Sequence, residues 1–401
     1  MSFGLRNYFP FIRSDKVTFH NIFQPIYLML SLLGLFPYSV KYNSKSYKII
    51  YRSLYLNVLY VILLISIISV FVVLHVQFIL SYTDISPFTS TEMTYSNYVL
   101  ELLLLFCACI TAYLCAFKNK YKYVDILNKL TTFWFELPRN GYSIMRQLNF
   151  HVSVSITVLF LLLMSLFFLN FTRSEGSWKQ ILVVFSFIIP QIAQFVHIVF
   201  YCMLIFMVGA LLSNIEDNCR DVANEKNHFT YSSVKNTSSS LTLKDIELVY
   251  VKVIQVKRDI NEAFQPSILL TLLQCFHAMV GESYTLYYGI ISPRSLTLHE
   301  LFNTVVWISY QLTKVFAFAY TGNVLKVKVL KIGQTLHKIP TDRQDIRLNM
   351  EIQHFLSLIA HQGPEVTVYG FFFLDATLFF NVLASATMYL IVLVQLTGSD
   401  D

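Results

Sequence analysis

The chain has 401 residues, 55% of them hydrophobic and 13% charged, with a formal net charge of +6. Soluble domains average roughly 45–50% apolar and about 25% charged residues, so the composition excludes an ordinary soluble enzyme. It also gives no support to nucleic-acid binding, and it predicts an all-α chain that crosses a membrane several times.

The first apolar stretch, Asn21–Ser39, carries Gln24 and is interrupted by Pro25 and Pro37. It reads as a short re-entrant or interfacial helix within a cytoplasmic N-terminal segment, residues 1–53. It is not expected to be a signal peptide, because no small-residue cleavage site follows it. Residues 54–325 then hold six runs long enough to cross a bilayer: Leu54–Leu80, Tyr98–Phe117, His151–Phe171, Ile181–Leu212, Ser267–Ile291 and Leu301–Leu325. A seventh, Leu374–Leu396, lies in the terminal segment 374–401.

Polar and aromatic residues in the outer halves of spans two to six are the candidates for a small-molecule site. They are Glu101 on span two, Gln191 and Gln194 on span four, Tyr287 on span five, and Trp307, Tyr310 and Gln311 on span six. Polar groups inside a membrane are expensive unless satisfied, which marks them as functional candidates. Aromatic faces and a few amides suit a sugar or a flat plant metabolite. The plainer alternative for tyrosines near span ends is an interfacial belt. His197 and His277 are expected to be hydrogen-bonded core residues. Lys314 is the single basic residue inside a span, and pairing with Asp375 at the start of span seven is expected to satisfy both.

The connections between spans alternate. Asn227–Ser240 is polar and serine-rich and reads as a mobile loop. After it, Ile246, Val249, Tyr250, Val253, Val256 and Ile260 recur at helical spacing, predicting an amphipathic helix that continues into span five as one rod. A second amphipathic pattern, with Ile346, Met350, Ile352, Phe355, Leu356 and Ile359, ends at Gly363-Pro364. Mixed rather than basic charges favour packing of these helices on each other over lying on lipid. Residues 326–373 are therefore expected to form a cytoplasmic helical anchor.

Lysine and arginine number 26 in the N-terminal segment and every second connection, and 3 in the remaining segments. Basic residues accumulate on the cytoplasmic side, so the N-terminus is expected inside and the C-terminus outside. That orientation, and the absence of the sequence strings typical of G-protein-coupled receptors, argues against a G-protein-linked receptor. The six cysteines lie in or beside spans, and outer disulfides are not expected. Two N-glycan acceptor strings, Asn170-Phe-Thr172 and Asn236-Thr-Ser238, fall on opposite sides, and only Asn170 is expected to be modified.

The last span carries one distinctive stripe. Thr377, Asn381, Ala384, Met388, Ile391 and Gln395 follow at steps of three and four and share a helix face, polar at both ends and apolar in the middle. Two arrangements explain it. The helix packs within its own bundle through small residues, or identical helices from several subunits surround an axis, with Met388 and Ile391 as an apolar constriction.

The final residues Tyr389-Leu-Ile-Val-Leu-Val-Gln395-Leu396 resemble the Thr-Tyr-(five apolar)-Gln-Phe signature of insect gustatory receptors, with Met388 at the usual Thr and Leu396 at the usual Phe. The preceding segment, with Gly370-Phe371-Phe372 and Leu374-Asp375, resembles the same family's approach to span seven. The resemblance implies seven transmembrane helices and a ligand-gated non-selective cation channel of four subunits, assembled alone or with related receptors. Span seven of each would line the pore, and Gln395 and Leu396 would form its outer gate. It implies further a small tastant as ligand, with no cofactor and no G protein, at the plasma membrane of sensory neurons. Sugar-responsive members carry an acidic residue after the tyrosine where Leu390 stands here, so a fructose-type or bitter-type ligand is expected. The competing class is a multispan transporter or a structural membrane protein without channel activity; the chain has neither the internal repeats of a transporter nor the motifs of an intramembrane hydrolase.

Overall fold

The computed structural model describes residues 19–36, 38–43, 48–53, 55–81, 92–137, 142–173, 176–229, 242–291, 297–339 and 346–397. The described residues form a helical bundle with two small hairpins. In chain order, α1 (Phe19–Leu32) precedes a hairpin of β1 (Tyr38–Asn43) and β2 (Lys48–Ser53), in which Tyr38 faces Ser53. The long helices follow: α2 (Tyr55–Ser81), α3 (Glu92–Lys118), α4 (Lys120–Glu136), α5 (Tyr142–Arg173), the short α6 (Ser177–Val183) and α7 (Ile189–Phe229). Then come α8 (Leu243–Ile291), α9 (Leu298–His337), α10 (Ile346–His361), a hairpin of β3 (Thr367–Val368) and β4 (Phe372–Phe373), and α11 (Ala376–Thr397).

Among the described residues, six helical stretches are long and apolar enough to cross a membrane: those of α2, α3, α5, α6–α7, α8 and α11. The predicted sixth span lies inside α9, which falls short in apolarity because its buried face carries Tyr310, Gln311, Lys314 and Thr321. These groups face other helices rather than lipid, so α9 needs less apolar surface than a helix on the rim. α7 is the hub, with 94% of its apolar window buried within the chain, against 22% for α2 and 24% for α5.

α1 is a short buried helix and not an eighth span: at about 1.5 Å per residue, its 14 residues reach about 21 Å, less than a hydrocarbon core. Pro25 is accommodated on its exposed side. The other face buries Phe19 against Trp134 and Phe23 against Phe200.

Between α6 and α7 the chain makes a π-turn, Val184–Ile188. Pro190 follows, and proline can neither donate its N–H nor tolerate the carbonyl four residues back, so a widened turn is the natural local solution. The Ser186 hydroxyl donates to the Leu182 carbonyl at 2.6 Å, and Nδ1 of His75 on α2 lies 2.6 Å from the Ser186 hydroxyl oxygen.

The amphipathic reading of α8 is accurate to the residue: Ile246, Val249, Tyr250, Val253, Val256 and Ile260 are all buried. α4 lies along this half of α8 through Lys122–Glu262, Lys129–Asp259 and Lys252–Glu136. α10 packs on it through Tyr250 against Phe355 and a 2.9 Å contact of His354 Nδ1 with a Glu247 carboxylate oxygen. The α10 pattern is only partly covered: Ile352 and Phe355 are buried, whereas Ile346 and Met350 are about two-thirds exposed. α10 ends at His361, just before Gly363-Pro364, as expected.

The linker from α10 to α11 runs over α8 and α9. Lys257 Nζ donates to the carbonyls of Gly363 and Glu365 at 3.1 and 2.9 Å, Asn261 donates to Thr367 at 2.7 Å, and Gln265 donates to the same oxygen at 3.3 Å. On the other side the linker meets Gly322 of α9 so closely that a Cβ there would lie 1.6 Å from the Leu374 carbonyl oxygen. Tyr369 and Gly370, both at positive φ, turn the chain between β3 and β4. The serine-rich stretch expected over Asn227–Ser240 falls mostly outside the described residues, as does Asn236.

Candidate ligand site and pore-lining helix

A tier of polar side chains crosses the middle of the bundle where α3, α7, α8 and α9 meet. Trp307 donates its indole N–H to Glu101 Oε1 at 3.0 Å, and both residues are buried. One turn further along α9, Tyr310 stacks on Trp307 at 5.8 Å, and the Tyr310 ring lies 4.7 Å from Lys314 Nζ. Lys314 donates to the side-chain oxygens of Gln194 and Gln274, each at 3.0 Å. Gln194 passes a bond on to Thr271 at 3.3 Å. A buried ammonium is costly unless hydrogen-bonded; two amide oxygens and an aromatic face are what this fold supplies.

The expected Lys314–Asp375 pair is therefore not formed. Asp375 instead caps α11, accepting from the Thr377 amide at 2.9 Å and from the Thr377 hydroxyl, and its ionic neighbour is Lys326 at 4.0 Å. The reason is geometric. Lys314 points into the α7–α8–α9 interior, whereas Asp375 precedes the first turn of a helix on the outside of the bundle.

Gln191 and Gln311 are 4% and 0% exposed, yet neither amide finds a hydrogen-bond partner, and the buried Tyr310 hydroxyl is also unpaired. An unmatched buried polar group costs roughly 1–3 kcal/mol. Gln191 lines a narrow cleft with Trp307, Phe187 and Ile188 on one side and Leu163, Leu166 and Phe167 of α5 on the other. The clear space inside it is about 10 Å³, the room of a single water. A tastant-sized molecule enters only if side chains move. Of the seven candidate ligand residues, five gather here or in the adjoining tier; Gln311 is buried next to Tyr310 on α9 but neither lines the cleft nor hydrogen-bonds to the tier, and Tyr287 is 37% exposed and is not brought in. His277 finds a partner in the Asn97 carbonyl, but His197, expected to be bonded, is buried against Phe264 with both ring nitrogens free. Gln274 and Thr271 were missed, although their spacing of three on one face of span five is a legible signal.

α11 behaves differently from every other long helix. Only 11% of its apolar window is buried; Phe379 touches Phe316 and Tyr389 touches Phe276. Its buried positions, Leu378 and Ala386, lie off the stripe, while Thr377, Asn381, Ala384, Met388, Ile391 and Gln395 are all exposed in the single chain. The Leu396 side chain, and that of Asn170 on α5, lie outside the described residues. Among the described residues, no cluster of three or more His, Cys, Asp or Glu could hold a metal.

The profile of the 7tm chemosensory receptors matches residues 23–397, nearly the whole chain. This chain belongs to that family. Gustatory receptor 28b of Drosophila melanogaster is 21% identical over 349 residues, 78% of this receptor and 72% of that protein. Gustatory receptor 68a of the same fly is 19% identical over 244 residues, 60% of each chain. The fold of this receptor is that of the insect olfactory receptor OR5 from Machilis hrabei, with a TM-score of 0.70 at 13% identity, over 93% of this chain and 97% of that one. The receptor is thus a multi-pass chemosensory membrane protein of the insect type and not an enzyme.

Proposed function

We propose that this receptor is a ligand-gated, non-selective cation channel of four subunits in which α11 of each chain lines a central pore. The observation that carries the reading is the stripe on α11: six residues at pore-lining spacing, every one exposed in the single chain. Asn381 and Gln395 would hydrate ions at the two ends, and Met388 and Ile391 would form the apolar constriction between them. The ligand is a small uncharged tastant, a sugar such as fructose or a bitter plant metabolite. Its hydroxyl or carbonyl groups would meet the unspent amides of Gln191 and Gln311, and its flat body would lie against Trp307 and Phe187. The similar olfactory receptor OR5 is described in complex with eugenol, which supports a small organic ligand for a chain of this fold. The N-terminus and the α4–α10 end face the cytoplasm, and the far end of α11 faces outward. Sensory-neuron plasma membrane is the place this reading assigns.

Patch recordings from cells expressing the chain test the proposal. A cation current with little preference between sodium and potassium is expected, and Gln395→Ala should change leak or relative permeability while leaving tastant potency unaltered. A surface-expressed chain that never conducts speaks against it, and a Gln395→Ala variant that shifts potency alone moves the glutamine to the ligand site. Orientation is read separately: an N-glycan removed by Asn170→Gln supports it, and one removed by Asn236→Gln reverses it.

A further inference from the structure

Lys257, Asn261 and Gln265 stand four residues apart on α8, hence on one face, and all three donate to main-chain oxygens of a single five-residue stretch, Gly363 to Thr367. Two turns before Lys257, the Tyr250 hydroxyl reaches the Gln362 carbonyl at 3.4 Å. These oxygens belong to the covalent link between α10 and α11. Donors aimed at the backbone hold the path of the chain itself, whichever side chains it carries. Gly322 on α9 closes the other side of the same link. Lys257 is 7% exposed, and its partners are carbonyls rather than carboxylates. α8 runs as one helix from Leu243 to Ile291, with Pro266 inside it, so Lys257 and Gln274 share one element, 17 residues and about 25 Å apart. Gln274 is part of the buried tier through Lys314.

We propose that Lys257, with Asn261 and Gln265, is a positioning residue that fastens the root of α11 to α8, so that displacement of α8 at the buried tier is delivered to the pore-lining helix. The functional half rests on the channel reading; the fastening does not.

The test uses the full-length protein in lipid nanodiscs and follows hydrogen–deuterium exchange of the peptide spanning residues 362–374, whose Phe371 and Leu374 amides are hydrogen-bonded. Lys257→Met should speed exchange there by about tenfold and leave residues 243–256 of α8 unchanged. Lys257→Arg, which keeps donors for both carbonyls, should stay close to wild type. Lys252→Met, which removes an exposed pair with Glu136, should leave the peptide unaffected. Where Lys257→Met yields no folded protein, Asn261→Ala carries the same expectation at about threefold. Unchanged exchange in these variants overturns the fastening. Single-channel recordings without agonist then read the coupling. Lys257→Met should alter open probability per channel, and Lys257→Arg should restore it, whereas a purely structural role changes only the number of channels. Faster exchange with unaltered open probability overturns the coupling. Wild type that never opens, with tastant or without it, refutes the channel reading, while the exchange result still decides the fastening.

Discussion

Lys314 places an ammonium at the centre of the bundle, and its surroundings determine what substitution does. Lys314→Met would leave the facing oxygens of Gln194 and Gln274 without their donor, and a loss of about 2–4 kcal/mol in unfolding free energy is expected. Asp375 has no share in that site. Asp375→Asn, which still caps α11, should cost little, whereas Asp375→Ala should lose about 1 kcal/mol; equal losses from the two would show that its charge matters after all. The sequence identified both residues as costly, but which partner each one meets depends on helix rotation, and no spacing rule fixes rotation across separate spans. Lys257 was just as hard to interpret, although its four-residue steps to Asn261 and Gln265 were there to be counted. Burial draws its pKa down from 10.5 to about 8, with Arg258 acting in the same direction and Glu365 against it. Between those two values the unfolded chain binds more protons than the folded one, so stability rises with pH across that window. Compared with Lys257→Met, wild type should gain at most about 3 kcal/mol from pH 8 to 10.5, a gain that thermal melts in detergent would register. Parallel melting curves for the two proteins would show that the ammonium is better solvated than its burial implies.

Among the elements, α8 and α9 position everything else, and their glycines differ in what they permit. Gly322→Ala would set a methyl group against the Leu374 carbonyl, so a loss of 2 kcal/mol or more is expected, with reduced yield of folded receptor. Gly333→Ala, on the same helix with nothing within 4 Å, should be neutral or stabilising by up to about 1 kcal/mol. Similar melting temperatures for the two variants would mean that the linker yields easily. Element types were legible because hydrophobic period and length are local properties. The buried half of α8 and the stop at Gly363-Pro364 were both read correctly. The π-turn was not, because it answers to Pro190 and to a contact from α2, far off in the chain. The exposure of Ile346 and Met350 shows that an apolar period marks a face without guaranteeing that one chain covers it.

For the whole molecule, the question is what covers α11. If its stripe surrounds an axis shared by copies, Met388→Cys should form a disulfide between chains under mild oxidation, and Leu378→Cys, buried within its own chain, should not. Linkage at Leu378 in preference to Met388 would turn the helix away from the axis. A bundle of membrane-length helices could be expected from run lengths, whereas the closed state of the cleft could not, since it depends on how Phe187, Trp307 and Phe167 meet. The sparse burial of α11 has a further consequence for biosynthesis. A newly inserted chain presents Asn381 to whatever lies beside it, and lipid is a poor neighbour for an amide. If copies of the chain cover this face, folding and assembly are linked by mass action: the receptor would then be most stable where its copies are crowded, and diluting it into excess lipid should lower its melting temperature before any ligand is added.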